Sequence, residues 1–386
     1  MLHATTAHRR ARLARRQGLS PAHRFADPVA ATNGMTALHA TEATTPHLSL
    51  HARVDGLTVA DVQAALYDER SLIKVMGMRR TLLVVEPDLV EAVAGSAGRR
   101  VAETIRRRLA KQAAALTYEL GPGWIEEASS AIVAVLTGRE YTSKELRQVL
   151  DHVGGTFVAG EGTKWATETS LMSQLLAITA ADGVVVRGRN AGHWRISRPT
   201  WTAMATWLGR RVEPTDERSG YAELVRRWLW TFGPGTEDDI VWWLGSTKGA
   251  VRQALADVEA LAVALDDGAT GYVLPDDTAD LERPADLEPW VALLPTLDPT
   301  TMGWQDRSFF LDAAYRPRLF DRAGNAGTTV WVDGRVVGCW VQDDDERVRP
   351  ILLEDVPRAH RPLIDREVAR LDEFLDGEHI TNVFAS

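Results

Sequence analysis

The sequence predicts an α+β fold, mainly helical, in which tandem winged helix-turn-helix units are followed by a small β-rich C-terminal module. Three observations predict it. Helical segments recur in pairs or triplets, each group closed by two short β-rich runs. Segment 236–274 shows the unit most plainly: a helix, a tight glycine turn, a second helix and a hairpin follow one another. After residue 281 the pattern changes to short strands around Asp333-Gly334, a strong type I′ hairpin signal. The expected division is 1–118, 119–212, 213–280 and 281–386.

In chain order, residues 8–18 read as a helix that stops on Gly18. Asp27-Pro28 opens a helix through Leu38, with aspartate as cap and proline in the first turn. Thr45-Pro46 starts another, carrying His47-Leu-Ser-Leu-His-Ala-Arg53, and Thr58 caps a helix over 59–66. Leu82–Val85 is a strand bounded by Glu86-Pro87, and a long helix over about 88–117 contains Arg106-Arg107-Arg108. The second group has helices over 124–136, 143–150 and 164–179, then strands 183–187 and 193–196 around the turn Gly188–Gly192. The third has helices over 222–232, 236–244 and 248–261 and a hairpin of 263–265 with 272–274. Three short helices cannot bury their apolar stripes alone, so the hairpin closes the core. Strands 290–294, 328–332 and 335–341 and a helix over about 360–375 complete the chain.

Composition narrows the function classes. At 386 residues, with 45% hydrophobic and 25% charged side chains, the chain is neither disordered nor collagenous. One cysteine, Cys339, excludes an internal disulfide, and a reducing cytoplasm fits. The basic N-terminus has no apolar segment behind it, so no secretory signal is expected, and no run is long enough for a membrane helix. The net charge of −9 is unevenly spread: residues 1–111 hold 17 Lys+Arg and 10 Asp+Glu, a balance of +7, which leaves −16 for the remainder. One end is thus suited to a polyanion, although a solvated Arg-rich helix face gives the same count.

Signatures of nucleotide chemistry are missing: no Walker loop, no dinucleotide fingerprint and no Gly-x-Ser-x-Gly elbow occur, and neither cofactor nor nucleotide is expected. His39, His47 and His51 form the one local histidine cluster. His47 and His51 share a helix face, but without a glutamate or third ligand, core packing is expected rather than a metal site. Asp238, Asp239, Asp257 and Glu259 surround the third unit's would-be recognition helix and would repel phosphate, so that unit reads as structural.

Leu38-His39-Ala40-Thr41-Glu42, Pro46-His47-Leu-Ser-Leu-His-Ala-Arg53, Asp61-Val62, Ala65-Leu66 and Met78-Arg79-Arg80-Thr81-Leu82 go together with Leu293-Leu-Pro295, Asp298-Pro299, Asp306-Arg307 and Asp333-Gly-Arg-Val-Val-Gly-Cys-Trp340. This set resembles the AlkZ/YcaQ-like bacterial winged-helix DNA glycosylases over nearly the whole chain. The resemblance implies tandem winged-helix units in a C-shaped array around DNA, a monomer, excision of alkylated purines, unhooking of interstrand crosslinks in some members, and a self-resistance role in producing bacteria. Members carry Gln-apolar-Gln or Gln-x-Asp at the catalytic position; here the aligned triplet is His39-Ala40-Thr41.

An N7-alkylpurine is already cationic, so its departure needs no protonation and the enzyme has only to place water and stabilise an oxocarbenium-like sugar. His39 is a candidate to orient or deprotonate that water, Thr41 to fix its second hydrogen, and Glu42 to favour the cationic transition state. Thr41 as a simple helix cap is the plainer alternative. The expected partner is double-stranded DNA carrying alkylated purines, held by Arg53, Lys74, Arg79, Arg80 and Lys164 and by Arg187, Arg189 and Arg195 of the second wing. Trp194 in that wing is expected to pack. Two other readings stay open: a non-catalytic DNA-binding protein on the same scaffold, and a scaffold turned to protein contacts.

Overall fold

The computed structural model describes residues 2–113, 121, 123–153, 155–159, 162, 167–282 and 287–380. The chain forms an α+β fold of many helices and several small sheets, and divides into two compact units. The first unit comprises residues 1–72, 84–86 and 221–386, the second 73–83 and 87–220. Segments from both ends of the chain belong to the first unit. Leu2–Ala4 runs parallel to Leu261–Leu265, and so extends a hairpin completed by Thr270–Val273 and bordered by Gly235–Thr236.

The core of the first unit is aromatic. Trp228, Trp290, Trp304, Trp331 and Trp340 are all fully buried. Burial of an indole N–H requires an acceptor, and each of four finds one: Trp228 on Gly303 O, Trp304 on Phe232 O, Trp331 on Thr329 Oγ1 and Trp340 on Leu294 O. Strands Val291–Leu294, Thr329–Val332, Arg335–Gln342 and Val348–Leu352 form an antiparallel meander whose Asp333-Gly334 turn has positive φ at both residues, as a type I′ turn requires. Helix Arg361–Leu375 packs on this sheet. Asp239, expected among the acids that repel phosphate, is in fact 1% exposed: it caps helix Glu237–Leu244 through Thr236 and accepts from the amides of Gln305 and Asp306.

The second unit packs helices Arg99–Ala113, Trp124–Leu136 and Leu171–Ala181 around Leu109, Ile132, Leu136, Leu146 and Leu175. Its sheet joins Tyr141–Thr142, Pro199–Ala203 and Val185–Asn190.

Several boundaries differ from the sequence expectation, each for a local reason. The helix expected to reach Leu38 stops at Gly34, against which Phe25 packs so closely that a Cβ would lie 2.3 Å from its ring. The helix expected over 88–117 is interrupted by a π-helical turn, Ala94–Gly98, where Gly95 and Gly98 admit the carbonyls of Thr215 and Ala181. Residues 114–117 lie outside the described residues. The helix expected from Lys164 begins at Leu171, after strand Thr167–Ser170, in keeping with the strand preference of its threonines. Residues 193–196 form a loop rather than a strand, because the Asn190 amide donates to the carbonyls of Gly192, His193 and Ile196. The true partner strand is Pro199–Ala203.

A buried polar network organises the first unit. Arg53 and Asp298, both 0% exposed, form a two-pronged pair with Nη1–Oδ2 at 2.8 Å and Nη2–Oδ1 at 2.7 Å. Asp298 also accepts from Ser49 Oγ and the Thr300 amide. Arg53 Nη2 reaches Thr300 Oγ1, which donates to Gln17 Oε1 at 2.6 Å, and Gln17 Nε2 donates to Thr231 O. Arg53→Ala leaves a buried carboxylate without its counter-ion, and we expect a loss of about 3–5 kcal/mol in urea denaturation.

The helix Thr45–His51 ends beside a second buried group. His51 stacks on Phe374 with ring centroids 4.4 Å apart, and its carbonyl accepts from Arg370 Nη1. Burial, with Arg370 and Arg24 nearby, holds the imidazole well below its usual 6.5. The folded chain therefore keeps His51 neutral at a pH where the unfolded chain binds a proton. Stability from this residue is full above about pH 6.5 and falls as pH drops towards the folded value, with a limiting slope of about 1.4 kcal/mol per pH unit. Denaturation midpoints between pH 7.5 and 5 should show this slope for the wild type and a shallower one for His51→Leu.

Candidate active site

The expected catalytic triplet lies in the first unit. Thr36, in a left-handed conformation at φ 63°, turns the chain out of helix Pro28–Gly34 into the short strand Leu38–His39. The strand covers Leu38 and His39 only, and Thr41 lies in the bend that follows; Leu38 is buried, His39 partly exposed, Ala40 buried and Thr41 exposed. The apolar middle residue is buried, while its two polar neighbours reach solvent to different degrees. Glu42 follows, also exposed.

Both flanks of the triplet are pinned. Upstream, Thr36 Oγ1 lies 2.9 Å from Thr231 Oγ1, which donates to Gly34 O. Downstream, Thr45 Oγ1 donates to Thr296 O at 2.8 Å, ahead of the Arg53–Asp298 pair. Thr231 and Arg53 belong to one chain of hydrogen bonds through Gln17 and Thr300, so the two anchors are linked inside the core. No spacing in the sequence marks Gln17, Thr36, Thr231 or Thr300, because their partnership arises from segments hundreds of residues apart.

The expected DNA contacts divide. Arg53 does not belong among them: with no exposed surface and its guanidinium committed to Asp298, it is a structural group. His47 and His51 are likewise buried, and the described residues contain no group of three His, Cys, Asp or Glu able to hold a metal. Lys164 lies outside the described residues. The other six lie in the second unit. Lys74 stands on strand Ile73–Gly77, where burial and the neighbouring Arg187 push its ammonium down to about 8. Arg187 stands over the ring of Trp201 at 5.4 Å, and Trp194 is packed at 7% exposure. Arg189 is exposed, while partly buried Arg195 reaches His193 through Nε.

Arg79 and Arg80 occupy the turn between Ile73–Gly77 and Thr81–Val85. Both are exposed, with φ of 56° and 59°. Two consecutive non-glycine residues in the left-handed region carry about 1 kcal/mol of strain each, a cost that clusters at functional turns.

The first unit thus holds a partly exposed imidazole and an exposed hydroxyl on either side of a buried Ala40, and the second presents arginines on a strained turn. The family model described as DNA glycosylase AlkZ-like matches residues 32–374, and the chain belongs to that family, with DNA as its partner. Among solved structures it is similar to the Streptomyces sahachiroi DNA glycosylase AlkZ, with a TM-score of 0.78 and 18% identity over 98% of this chain and 99% of that one. No curated protein sequence matches it. Among the described residues no helix is long and apolar enough to cross a membrane.

Replacing Arg80 by glycine removes one of the two strained conformations. We expect Arg80→Gly to raise the unfolding free energy by about 0.5–1 kcal/mol, measured by urea denaturation; a loss would show that the arginine's contacts outweigh its strain.

Proposed function

We propose that this protein hydrolyses the N-glycosidic bond of N-alkylated purines of the N7-alkylguanine type, bulky adducts and interstrand crosslinks included. Its helical units act as tandem winged helices, and it works on duplex DNA as a cytoplasmic monomer without a cofactor. The observation that supports this reading is the solvent exposure of His39 and Thr41 on either side of buried Ala40, in a segment whose flanks are pinned.

The chemistry suits these side chains. Water adds to C1′ as the bond to N9 breaks, and the electron pair leaving with the base cancels the charge of the alkylated purine. His39 orients the water and takes its proton, Thr41 holds the remaining O–H, and Glu42 opposes the positive charge growing on the sugar. Arg79, Arg80, Lys74, Arg187, Arg189 and Arg195 grip the backbone. Phosphate beside Lys74 favours its charged form, so part of the affinity fades as pH rises through about 8.

Release of 7-methylguanine from duplex DNA, followed by alkaline cleavage of the abasic strand, tests the proposal. We expect His39→Ala to slow release by about 100-fold with DNA affinity retained. Salt-sensitive binding without base release by the wild type would instead establish the alternative, a non-catalytic DNA-binding protein, which the two changed flanks of the triplet favour.

A further inference from the structure

A cleft of about 940 Å³ opens in the first unit with Thr36 on its wall, within the volume range of ligand pockets. Three residues of chain separate Thr36 from His39, so the two Cα atoms are at most about 11 Å apart. Trp230 lines the same cleft at 47% exposure, an unusual setting for the largest apolar side chain. It is nevertheless held in place. The Arg16 guanidinium stands over its ring at 4.2 Å and donates to the Trp230 carbonyl, while Asp277 and Asp280 hold Arg16 from behind. A ring fixed in this way is a stacking platform whose ordering cost is met before any ligand arrives.

Charge decides what such a platform suits. The cleft's two arginines are already engaged: Arg226 with Glu223 at 2.8 Å, and Arg227 with Glu223 at 2.8 Å and with Asn33. Asp257 and Asp276 add carboxylates to the lining. Phosphate is therefore disfavoured, whereas a planar ring, neutral or cationic, can stack on the indole, the lining carboxylates offsetting Arg16 over the ring. We propose that this cleft receives the planar aromatic portion of a bulky alkyl group carried on the purine, stacked on Trp230. The inference rests on the glycosylase reading and adds to it a reason for selectivity among adducts.

The full-length protein is given duplexes containing one 7-methylguanine or one N7-(pyrenylmethyl)guanine. In Trp230→Ala we expect release of the small base to stay within twofold of wild type and release of the pyrenyl base to slow about tenfold, with Trp230→Phe restoring most of it. An equal effect on both substrates, or none on either in a wild type that releases both bases, overturns the proposal. Proflavine titrated calorimetrically into the DNA-free protein separates the cleft from the chemistry: Trp230→Ala should weaken binding about tenfold at an unchanged melting temperature. Absent binding by the wild type, or equal binding by both, overturns the proposal. Proflavine binding that depends on Trp230, in a protein that releases neither base, would leave the cleft standing and remove the glycosylase reading alone.

Discussion

Asp298 is a carboxylate with no access to water, and the first unit is arranged around supplying it with donors. Moving an ion of this size out of water costs several kcal/mol even after relaxation, so it persists only where donors surround it. Here it accepts both arms of Arg53, the Ser49 hydroxyl and the Thr300 amide. These groups come from opposite ends of the sequence, so satisfying the charge closes the unit. The same network continues through Gln17 to Thr231 and fixes the segment on which His39 and Thr41 stand. Two of the stretches that carry the family resemblance, the one ending in Arg53 and Asp298-Pro299, contribute the two halves of this ion pair. They mark the scaffold beneath the site more than its chemistry.

That division suits the reaction proposed above. A purine alkylated at N7 is a good leaving group, so what the site must supply is position and a favourable field rather than a strong acid. Position comes from rigidity, and the buried Ala40 between two open polar side chains is an economical way of obtaining it. In the proposed reaction an imidazole and a hydroxyl stand where other family members have amides, beside the same apolar residue.

The second unit stores cost of another kind. The left-handed arginines of the 79–80 turn and the lowered ammonium of Lys74 are unfavourable in the free protein. The second is compensated most readily by an anion, which favours the charged ammonium. Cationic groups held close together against their mutual repulsion are what a polyanionic partner rewards.

Much of the fold was legible in the sequence. The capped helices Val59–Gln63, Ser143–Val149 and Glu237–Leu244 and the Asp333-Gly334 turn follow from local signals of cap, period and turn residue. Left to the tertiary structure were the breaks at Gly34 and Gly95, which depend on what packs against them. So too was the fate of Arg53, whose sequence neighbours give no hint of Asp298. A charged side chain has the same chemistry on the surface and in the core. Only the partner that folding brings to it, here from 245 residues away, decides whether it meets DNA or holds the protein together.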